Sequence, residues 1–228
     1  MAQVPSQKSK VGAERGKKLH GVVETYLETA PTLPGQTLME FAEAEGLYEK
    51  DIRHGLRSAS EGDLLMGLRE MHHDPSVPLT LLVEQKIEMS PVFLGFVDLI
   101  VLDKRSGKLE VTIRDHKFSA DKRYVPTEEM ARTDFQTMIY AKSVAQFFSL
   151  DSVHFAYDYY GTKCKWQKKL EIDLTREFID AKWLDVLGST ASVLDNYTVP
   201  CGANTTPNYV ACQNFGGCEY KDLCFGEK

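Results

Sequence analysis

The chain has 228 residues and a mass of 25.7 kDa, and 43% of its residues are hydrophobic and 26% are charged. These values are typical of one globular domain, or of one domain with a small appendage, and they exclude a collagen, a coiled coil and a disordered tail. The formal net charge of -6 argues against a protein that binds nucleic acid simply because it is basic. The sequence contains no apolar signal-peptide core and no stretch of about 18 or more uncharged apolar residues, so we expect an intracellular protein in a reducing compartment, without membrane contact.

The first third of the chain is predicted to be helical. Residues 1–10 are polar and lack periodicity, and we expect them to be disordered. Apolar residues at helical spacing then predict a helix over 11–30, a second over 38–47 and a third over 60–72, with Ser60 as its N-cap. After these helices the apolar period changes to that of strands.

The middle of the chain is predicted to form a sheet. Its apolar patterns predict five strands, over 79–87, 94–102, 109–117, 153–160 and 167–173. A helix over 127–148 separates the third strand from the fourth, another over 175–196 follows the fifth, and residues 103–107 form a hairpin loop. We therefore predict an α/β fold in which helices flank a central mixed β-sheet.

Charged side chains interrupt the apolar pattern of the second and third strands. Asp98 lies in a strand that is otherwise apolar on both faces, where a lone carboxylate is costly unless it is paired or bound to a metal. Asp115 and Lys117 follow apolar residues on one face of the third strand. If the hairpin pairs the two strands, Asp98 and Asp115 converge at one end of the sheet and form a site for a hard divalent cation such as Mg²⁺. Glu84 on the first strand either joins this site or faces solvent.

Four motifs in chain order extend this pattern. They are Gly16-Lys17-Lys18-Leu19-His20, Gly95-Phe96-Val97-Asp98, Asp115-His116-Lys117 and Gln136-Thr137-Met138-Ile139-Tyr140. No motif is specific by itself, and the specificity lies in the ordered set. The set resembles the RecB-type branch of the PD-(D/E)XK nuclease superfamily, which includes CRISPR-associated exonucleases.

This resemblance implies a restriction-endonuclease-like core, which we expect over residues 11–197, and a set of site residues. The ligands that it implies for Mg²⁺ or Mn²⁺ are His20, Asp98, Asp115 and the main-chain carbonyl of His116. By the same resemblance, Lys117 would act on the nucleophilic water or on the scissile phosphate. Gln136 and Tyr140 would position DNA or the lysine.

Four of the five cysteines lie in the last 28 residues, which are rich in Gly, Asn and Pro and too few for a hydrophobic core of their own. Four thiolates match the ligand number of a tetrahedral Zn²⁺ site or an iron-sulfur cluster, and the tail offers those of Cys201, Cys212, Cys218 and Cys224. The segment from Cys218 onward resembles the end of the iron-sulfur members of the same nuclease branch, which favours a [4Fe-4S] cluster and leaves Zn²⁺ open. We expect residues 198–228 to form a metal-stapled loop packed on the core, and Cys164 to be an ordinary thiol.

The resemblance implies a metal-dependent deoxyribonuclease, and we expect an exonuclease that hydrolyses phosphodiester bonds in DNA recombination, repair or replication. Two alternatives stay open: a structure-selective endonuclease or resolvase, and a non-catalytic DNA-binding adaptor. Converging negative charges near phosphates disfavour the adaptor. The expected partners are DNA that is single-stranded or has free ends and a helicase or recombination protein, and the sequence leaves the oligomeric state and a viral origin open.

Basic residues cluster in three places despite the net acidity. Five of them are predicted to contact DNA if the fold gathers them around the site, namely Lys17, Lys18, Lys122, Arg123 and Arg132. A continuous helix over 127–148 would turn Arg132 to the same face as Gln136 and Tyr140. The lysines over 163–169 are expected to be solvated surface charges, and Tyr124 or Phe135 is available to stack on bases.

Overall fold

The computed structural model describes residues 7–89 and 93–197, with side chains described over 11–89 and 93–191. The chain divides into two compact units, one formed by residues 13–183 and the other by residues 1–12 together with 184–228. The larger unit contains the whole sheet. The predicted cysteine tail, residues 198–228, lies outside the described residues.

The helices within the described ranges are α1 (Gln7–Glu28), α2 (Leu38–Ala44), α3 (Arg53–Ala59), α4 (Leu64–His73), α5 (Glu128–Arg132), α6 (Phe135–Phe147) and α7 (Arg176–Tyr197). The strands are β1 (Leu79–Glu88), β2 (Leu94–Asp103), β3 (Glu110–Ser119), β4 (Ser152–Gly161) and β5 (Gln167–Thr175), and a 3₁₀ turn at Lys122–Tyr124 follows β3. All five predicted strands are confirmed, whereas α3 was not predicted. Among the described helices, none is long and apolar enough to cross a membrane.

The five strands lie in the sheet in chain order. Neighbouring strands run antiparallel except β3 and β4, which are parallel, so the predicted mixed sheet is confirmed. Side chains of α1 to α4 form an apolar core on one face, which Leu99 and Val101 of β2 and Tyr160 of β4 join. Because successive strand residues alternate between faces, Ile100 lies on the other face, where it lines the same cavity as Val144 of α6. The result is the predicted α/β architecture, with helices on both faces of the sheet.

Two predicted helix boundaries are wrong. The helix predicted over 127–148 is two helices, because the Asp134 carboxylate accepts hydrogen bonds from two main-chain N–H groups of the next turn, at 3.0 and 3.3 Å, and so caps the start of α6. Ser60 was predicted as the N-cap of the third helix but is the C-cap of α3. Its hydroxyl donates to the carbonyl of Leu56 at 2.8 Å, and Asp63 takes the N-cap position of α4 instead.

A buried ion pair joins β3 to β4 beneath the helical core. The Arg114 guanidinium donates two hydrogen bonds to the Asp158 carboxylate, at 2.9 and 2.8 Å, and the side chains are only 7% and 4% exposed. The ring of His116 lies beside the pair, with Nδ1 3.7 Å from Asp158 Oδ2. Burial raises the pKa of Asp158, although Arg114 acts in the opposite direction. The pair therefore fixes the position of β3 at the cost of desolvating two charges.

β2 and β3 separate part of the way along the sheet. They pair from Asp103 opposite Glu110 to Leu99 opposite Arg114, and the ladder ends there. Beyond that point β2 continues along β1, and β3 continues along β4. A fork between the two central strands therefore opens next to Asp98 and Asp115, where the sequence predicts that the two carboxylates converge.

Candidate metal centre

Three candidate metal ligands from three different elements meet beside the fork. One ligand atom each of His20 on α1, Glu84 on β1 and Asp98 on β2 lies within 4.8 Å of the others. Nδ1 of His20 is 3.4 Å from Oδ2 of Asp98. One imidazole nitrogen and two carboxylates form a donor set that suits Mg²⁺ or Mn²⁺.

Close packing between two helices positions His20. A Cβ atom at Gly55 of α3 would lie 2.6 Å from the buried side chain of Leu19, so a larger residue would have to displace that side chain. The next residue, His20, packs edge-on against the ring of Phe118 at a centroid distance of 5.2 Å. Burial lowers the pKa of His20, which favours the neutral imidazole that binds metals.

A backbone kink places Glu84 opposite Asp98. Val83 pairs with Leu99 and Gln85 with Val97, so the register sets Glu84 across from Asp98, where the ladder is interrupted. The φ angle of Glu84 is 46°, in the left-handed region that residues with side chains rarely adopt. The sequence left the role of Glu84 open. Its position directly opposite Asp98 in an antiparallel register is the signal that would have assigned it to the site.

His116 contributes main-chain atoms to the centre. Its N–H donates to Oδ2 of Asp98 at 2.7 Å. In a strand, the N–H and the C=O of one residue point to the same side, so the His116 carbonyl also faces the fork, where the predicted ligand role needs it. The imidazole lies on the opposite face and is 2% exposed, and burial lowers its pKa to about 3. The ring therefore has no part in the centre.

Gln136 links the remaining predicted site residues in one network. Its Nε2 donates to Oδ1 of Asp115 at 2.9 Å and to the Tyr140 hydroxyl at 3.0 Å, and its Oε1 accepts from Nζ of Lys117 at 2.9 Å. Lys117 Nζ also lies 2.7 Å from Oδ2 of Asp115. The Tyr140 hydroxyl donates to the carbonyl of Phe96 at 2.6 Å. α6 thus holds the Asp115 and Lys117 side chains against the fork.

The centre contains more negative charge than its lysine neutralises. Burial raises the pKa of Asp98 and of Asp115 to about 6, although Lys117 acts to lower both. Burial, followed by the charge of Asp98, raises the pKa of Glu84 to about 7. Oδ2 of Asp115 is buried and lies 2.7 Å from the ammonium group of Lys117. A divalent cation would offset this excess charge, so the residues fit the predicted Mg²⁺ or Mn²⁺.

Arg132 does not join this site. It belongs to α5, and the break at Asp134 removes the common helix face that it was predicted to share with Gln136. Its guanidinium is held instead by the Glu128 carboxylate, at 2.9 Å, and by the main-chain carbonyl of Asp173, at 2.8 Å. The predicted helix face shared by Arg132, Gln136 and Tyr140 is therefore wrong, and a contact of Arg132 with DNA stays a prediction.

The other predicted DNA contacts fall into two groups. On α1, Lys17 is exposed, and Lys18 forms an ion pair with Glu49. Lys122 and Arg123 lie in the 3₁₀ turn that follows β3, close to the end of the strand that carries the site lysine. The first group directly precedes His20 on α1, and the second follows Lys117 of β3, so each lies on a chain segment that carries a site residue.

The four cysteines predicted to bind a metal, Cys201, Cys212, Cys218 and Cys224, lie outside the described residues. The metal in the tail stays a prediction. Cys164 is a free, exposed thiol in the connection between β4 and β5, in agreement with the sequence.

Comparison with known proteins identifies the class of this site. The sequence model of the PD-(D/E)XK nuclease superfamily matches residues 2–225. The chain belongs to this superfamily, whose members are metal-dependent nucleases that act on DNA and usually use Mg²⁺ or Mn²⁺. No curated protein matches the chain. One similar solved structure, described as the crystal structure of SSO0001, shares 12% sequence identity with a TM-score of 0.37, and the match covers 96% of this chain and 98% of that one.

Proposed function

We propose that the chain is a RecB-type exodeoxyribonuclease that hydrolyses phosphodiester bonds with Mg²⁺ or Mn²⁺. The observation that carries this proposal is the convergence of Asp98, Asp115, Lys117 and His20 at the β2–β3 fork. A non-catalytic DNA adaptor would gain nothing from carboxylates at this point, because they repel phosphate. The order of the four motifs along the chain supports the RecB-type branch and, with it, attack at free DNA ends.

The proposed ligands of the metal are His20, Asp98, Asp115 and the His116 carbonyl, with Glu84 as a further carboxylate. When bound, Mg²⁺ or Mn²⁺ polarises a phosphoryl oxygen and lowers the pKa of a bound water. The ligand side chains come from α1 and from three strands. Their relative positions therefore depend on the packing of α1 against the sheet and on the fork itself.

Lys117 is the side chain proposed to face the reacting phosphate. Its ammonium group is held between Asp115 and Gln136, at 2.7 and 2.9 Å, and its side chain is 35% exposed, so a substrate can reach it. There it would stabilise the negative charge that develops on the phosphate and orient the attacking water. Gln136 and Tyr140 are positioning residues in this scheme, because they hold Lys117 and Asp115 in place.

Cleavage by an Asp115→Asn variant tests the proposal. We expect the wild-type protein to degrade linear DNA with free ends in the presence of Mg²⁺, and to leave covalently closed circular DNA intact. The variant should keep its circular dichroism spectrum and degrade neither substrate. Glu110→Gln is a matched control, because Glu110 is an exposed acid at the far end of the same strand, and it should cleave like the wild type.

Two results would contradict this assignment in different ways. Wild-type rates in the Asp115→Asn variant would rule out the metal centre as the active site. Cleavage of closed circles by the wild-type protein would show a structure-selective endonuclease instead of an exonuclease.

For the tail, we propose that Cys201, Cys212, Cys218 and Cys224 bind a [4Fe-4S] cluster, because four thiolates match its ligand number. The ligands would tie the end of the chain to the core and have a structural role. Protein purified without oxygen should be brown and contain iron and sulfide. Colourless protein with one bound zinc would show a tetrahedral Zn²⁺ site in its place.

A further inference from the structure

Two loops lie side by side at the end of the sheet where β3 leaves the metal centre. Ser119, two residues beyond Lys117, pairs with Gly161 at the end of β4, and the main-chain N–H of Thr162 donates to the Ser119 carbonyl at 2.9 Å. Two residues span about 7 Å in a strand. The connection between β4 and β5 therefore begins close to Lys117, beside the 3₁₀ turn that follows β3.

These two loops and the start of β5 carry six basic side chains, which we call the basic lip: Lys122, Arg123, Lys163, Lys165, Lys168 and Lys169. The members come from separate segments that the fold brings together. Nζ of Lys122 lies 5.8 Å from the centre of the Trp166 ring, and the charge of Lys163 acts on Asp121 in the other loop. The two loops are therefore adjacent in the folded chain, although about forty residues separate them in the sequence. In β5, the register places Lys168 on the same face of the sheet as Lys117, and Lys169 on the opposite face.

The lip keeps a net positive charge. Three of its members form ion pairs, which are Arg123 with Asp121, Lys165 with Glu61 and Lys169 with Glu171. The other three, Lys122, Lys163 and Lys168, are exposed and form no ion pair with described residues. Exposed cations without carboxylate partners are the groups that bind phosphate at least cost, because no existing pair has to be broken.

The opposite flank of the centre is acidic. Glu84 and Asp98 of the centre lie on this flank, and Glu24 and Glu28 follow His20 on α1, one and two turns further on. On the preceding turn of α1, Lys18 is paired with Glu49, whereas Lys17 is exposed. The acids that follow His20 repel a phosphate backbone, whereas the lip attracts it.

We propose that the basic lip binds the phosphate backbone of DNA as the strand leaves the metal centre, so that the strand runs over the ends of β3 and β4 and away from α1. This inference rests on the proposed nuclease function and adds the direction of the substrate. It gives DNA a path across a chain whose net charge is -6. Because each neutralised phosphate releases counterions, binding should weaken steeply with salt.

A pair of charge-reversal variants tests the lip. The test variant is Lys163→Glu with Lys168→Glu, and the control is Lys104→Glu with Lys108→Glu in the β2–β3 hairpin, at the other end of the sheet. Both change the net charge equally, and all four lysines are exposed. Binding is measured by fluorescence anisotropy with a labelled single-stranded oligonucleotide in EDTA over a series of salt concentrations. Since EDTA prevents cleavage, the readout does not depend on the proposed active site.

We expect the lip variant to bind at least ten-fold more weakly than the control. The slope of the logarithm of the binding constant against the logarithm of the salt concentration should also become less steep, by about 1.4. This change corresponds to two lost phosphate contacts on a single strand. If both variants weaken binding equally, the effect is one of net charge and the lip is not a binding surface. A DNA affinity of the lip variant equal to that of the wild type would likewise overturn the proposal. Circular dichroism shows whether both variants fold. If the lip variant does not fold, the charge-neutral variant Lys163→Gln with Lys168→Gln is measured in its place.

Discussion

The main-chain N–H of His116 and the carboxylate of Asp98 are joined by a 2.7 Å hydrogen bond across the β2–β3 fork. In a regular antiparallel pair, this N–H would bond to a carbonyl of the neighbouring strand, but the ladder ends at Leu99 and Arg114. Asp98 therefore replaces a lost main-chain acceptor while it remains able to bind a metal. Substitutions can separate these two roles.

Asp98→Ala and Asp98→Asn should differ in stability and agree in activity. Both remove a proposed metal ligand, so both should lose Mg²⁺-dependent cleavage. Asn retains an oxygen that can accept from the His116 N–H, whereas Ala leaves that buried group unpaired at a cost of about 1–3 kcal/mol. Urea unfolding in EDTA should therefore show Asp98→Ala to be the less stable of the two. Equal free energies of unfolding would mean that the hydrogen bond contributes nothing.

Glu84→Gln should weaken the response to metal without preventing folding. Glu84 lies within 4.8 Å of His20 and Asp98, and loss of a group that supports a metal site typically reduces metal affinity about 10- to 100-fold. The Mg²⁺ concentration for half-maximal cleavage should rise accordingly. Glu88→Gln is the control, because Glu88 is an exposed acid on the same strand. An unchanged Mg²⁺ titration would place Glu84 outside the centre.

Glu84 also predicts how the stability of the metal-free protein depends on pH. Burial, more than any neighbouring charge, raises its pKa in the folded state from 4.5 to about 7. The folded protein then holds a proton that the unfolded chain has released, so the contribution of Glu84 to stability falls as pH rises through this interval. In EDTA, Glu84→Gln should be more stable than the wild type above pH 7, and this advantage should shrink towards pH 4.5. Thermal unfolding across this range is the measurement, and an advantage that is constant with pH would contradict the raised pKa.

Asp158→Asn should be strongly destabilising. It leaves the charge of Arg114 buried without its partner, for which losses of about 3–5 kcal/mol are typical. Asp103→Asn is the comparison, because the pair of Asp103 with Arg105 is more exposed and should contribute about 0–1 kcal/mol. Urea unfolding compares the two variants. Similar small losses in both would show that β3 does not depend on the buried pair.

Much of the candidate metal centre was predictable from the strand pattern and the order of the motifs in the sequence. The hairpin at 103–107 fixes the register of β2 and β3, so an acid in each strand at the same distance from the loop had to converge. The order of the motifs then added His20, Gln136 and Tyr140, and the structure brings each of them to the fork.

The errors have a different physical origin. The break before α6 depends on how the Asp134 carboxylate caps two N–H groups, which helical periodicity does not show. That break moved Arg132 away from Gln136. The role of Glu84 depends on a left-handed backbone angle and on a register between strands, and neither is visible in the period of the sequence. The sequence does not group the members of the proposed basic lip, because they are distant along the chain and meet only through the parallel pairing of β3 with β4.

The kink at Glu84 has a second effect, on association between molecules. β1 is an edge strand, with β2 as its neighbour in the sheet. A flat edge offers a row of free N–H and C=O groups to which a strand of another molecule can add, and proteins prevent this with local distortions and charges on the edge. The left-handed residue lies in the middle of β1, with the charged pair of Lys86 and Glu88 after it. The same backbone distortion that turns a carboxylate towards the metal centre thereby protects this edge of the sheet from aggregation.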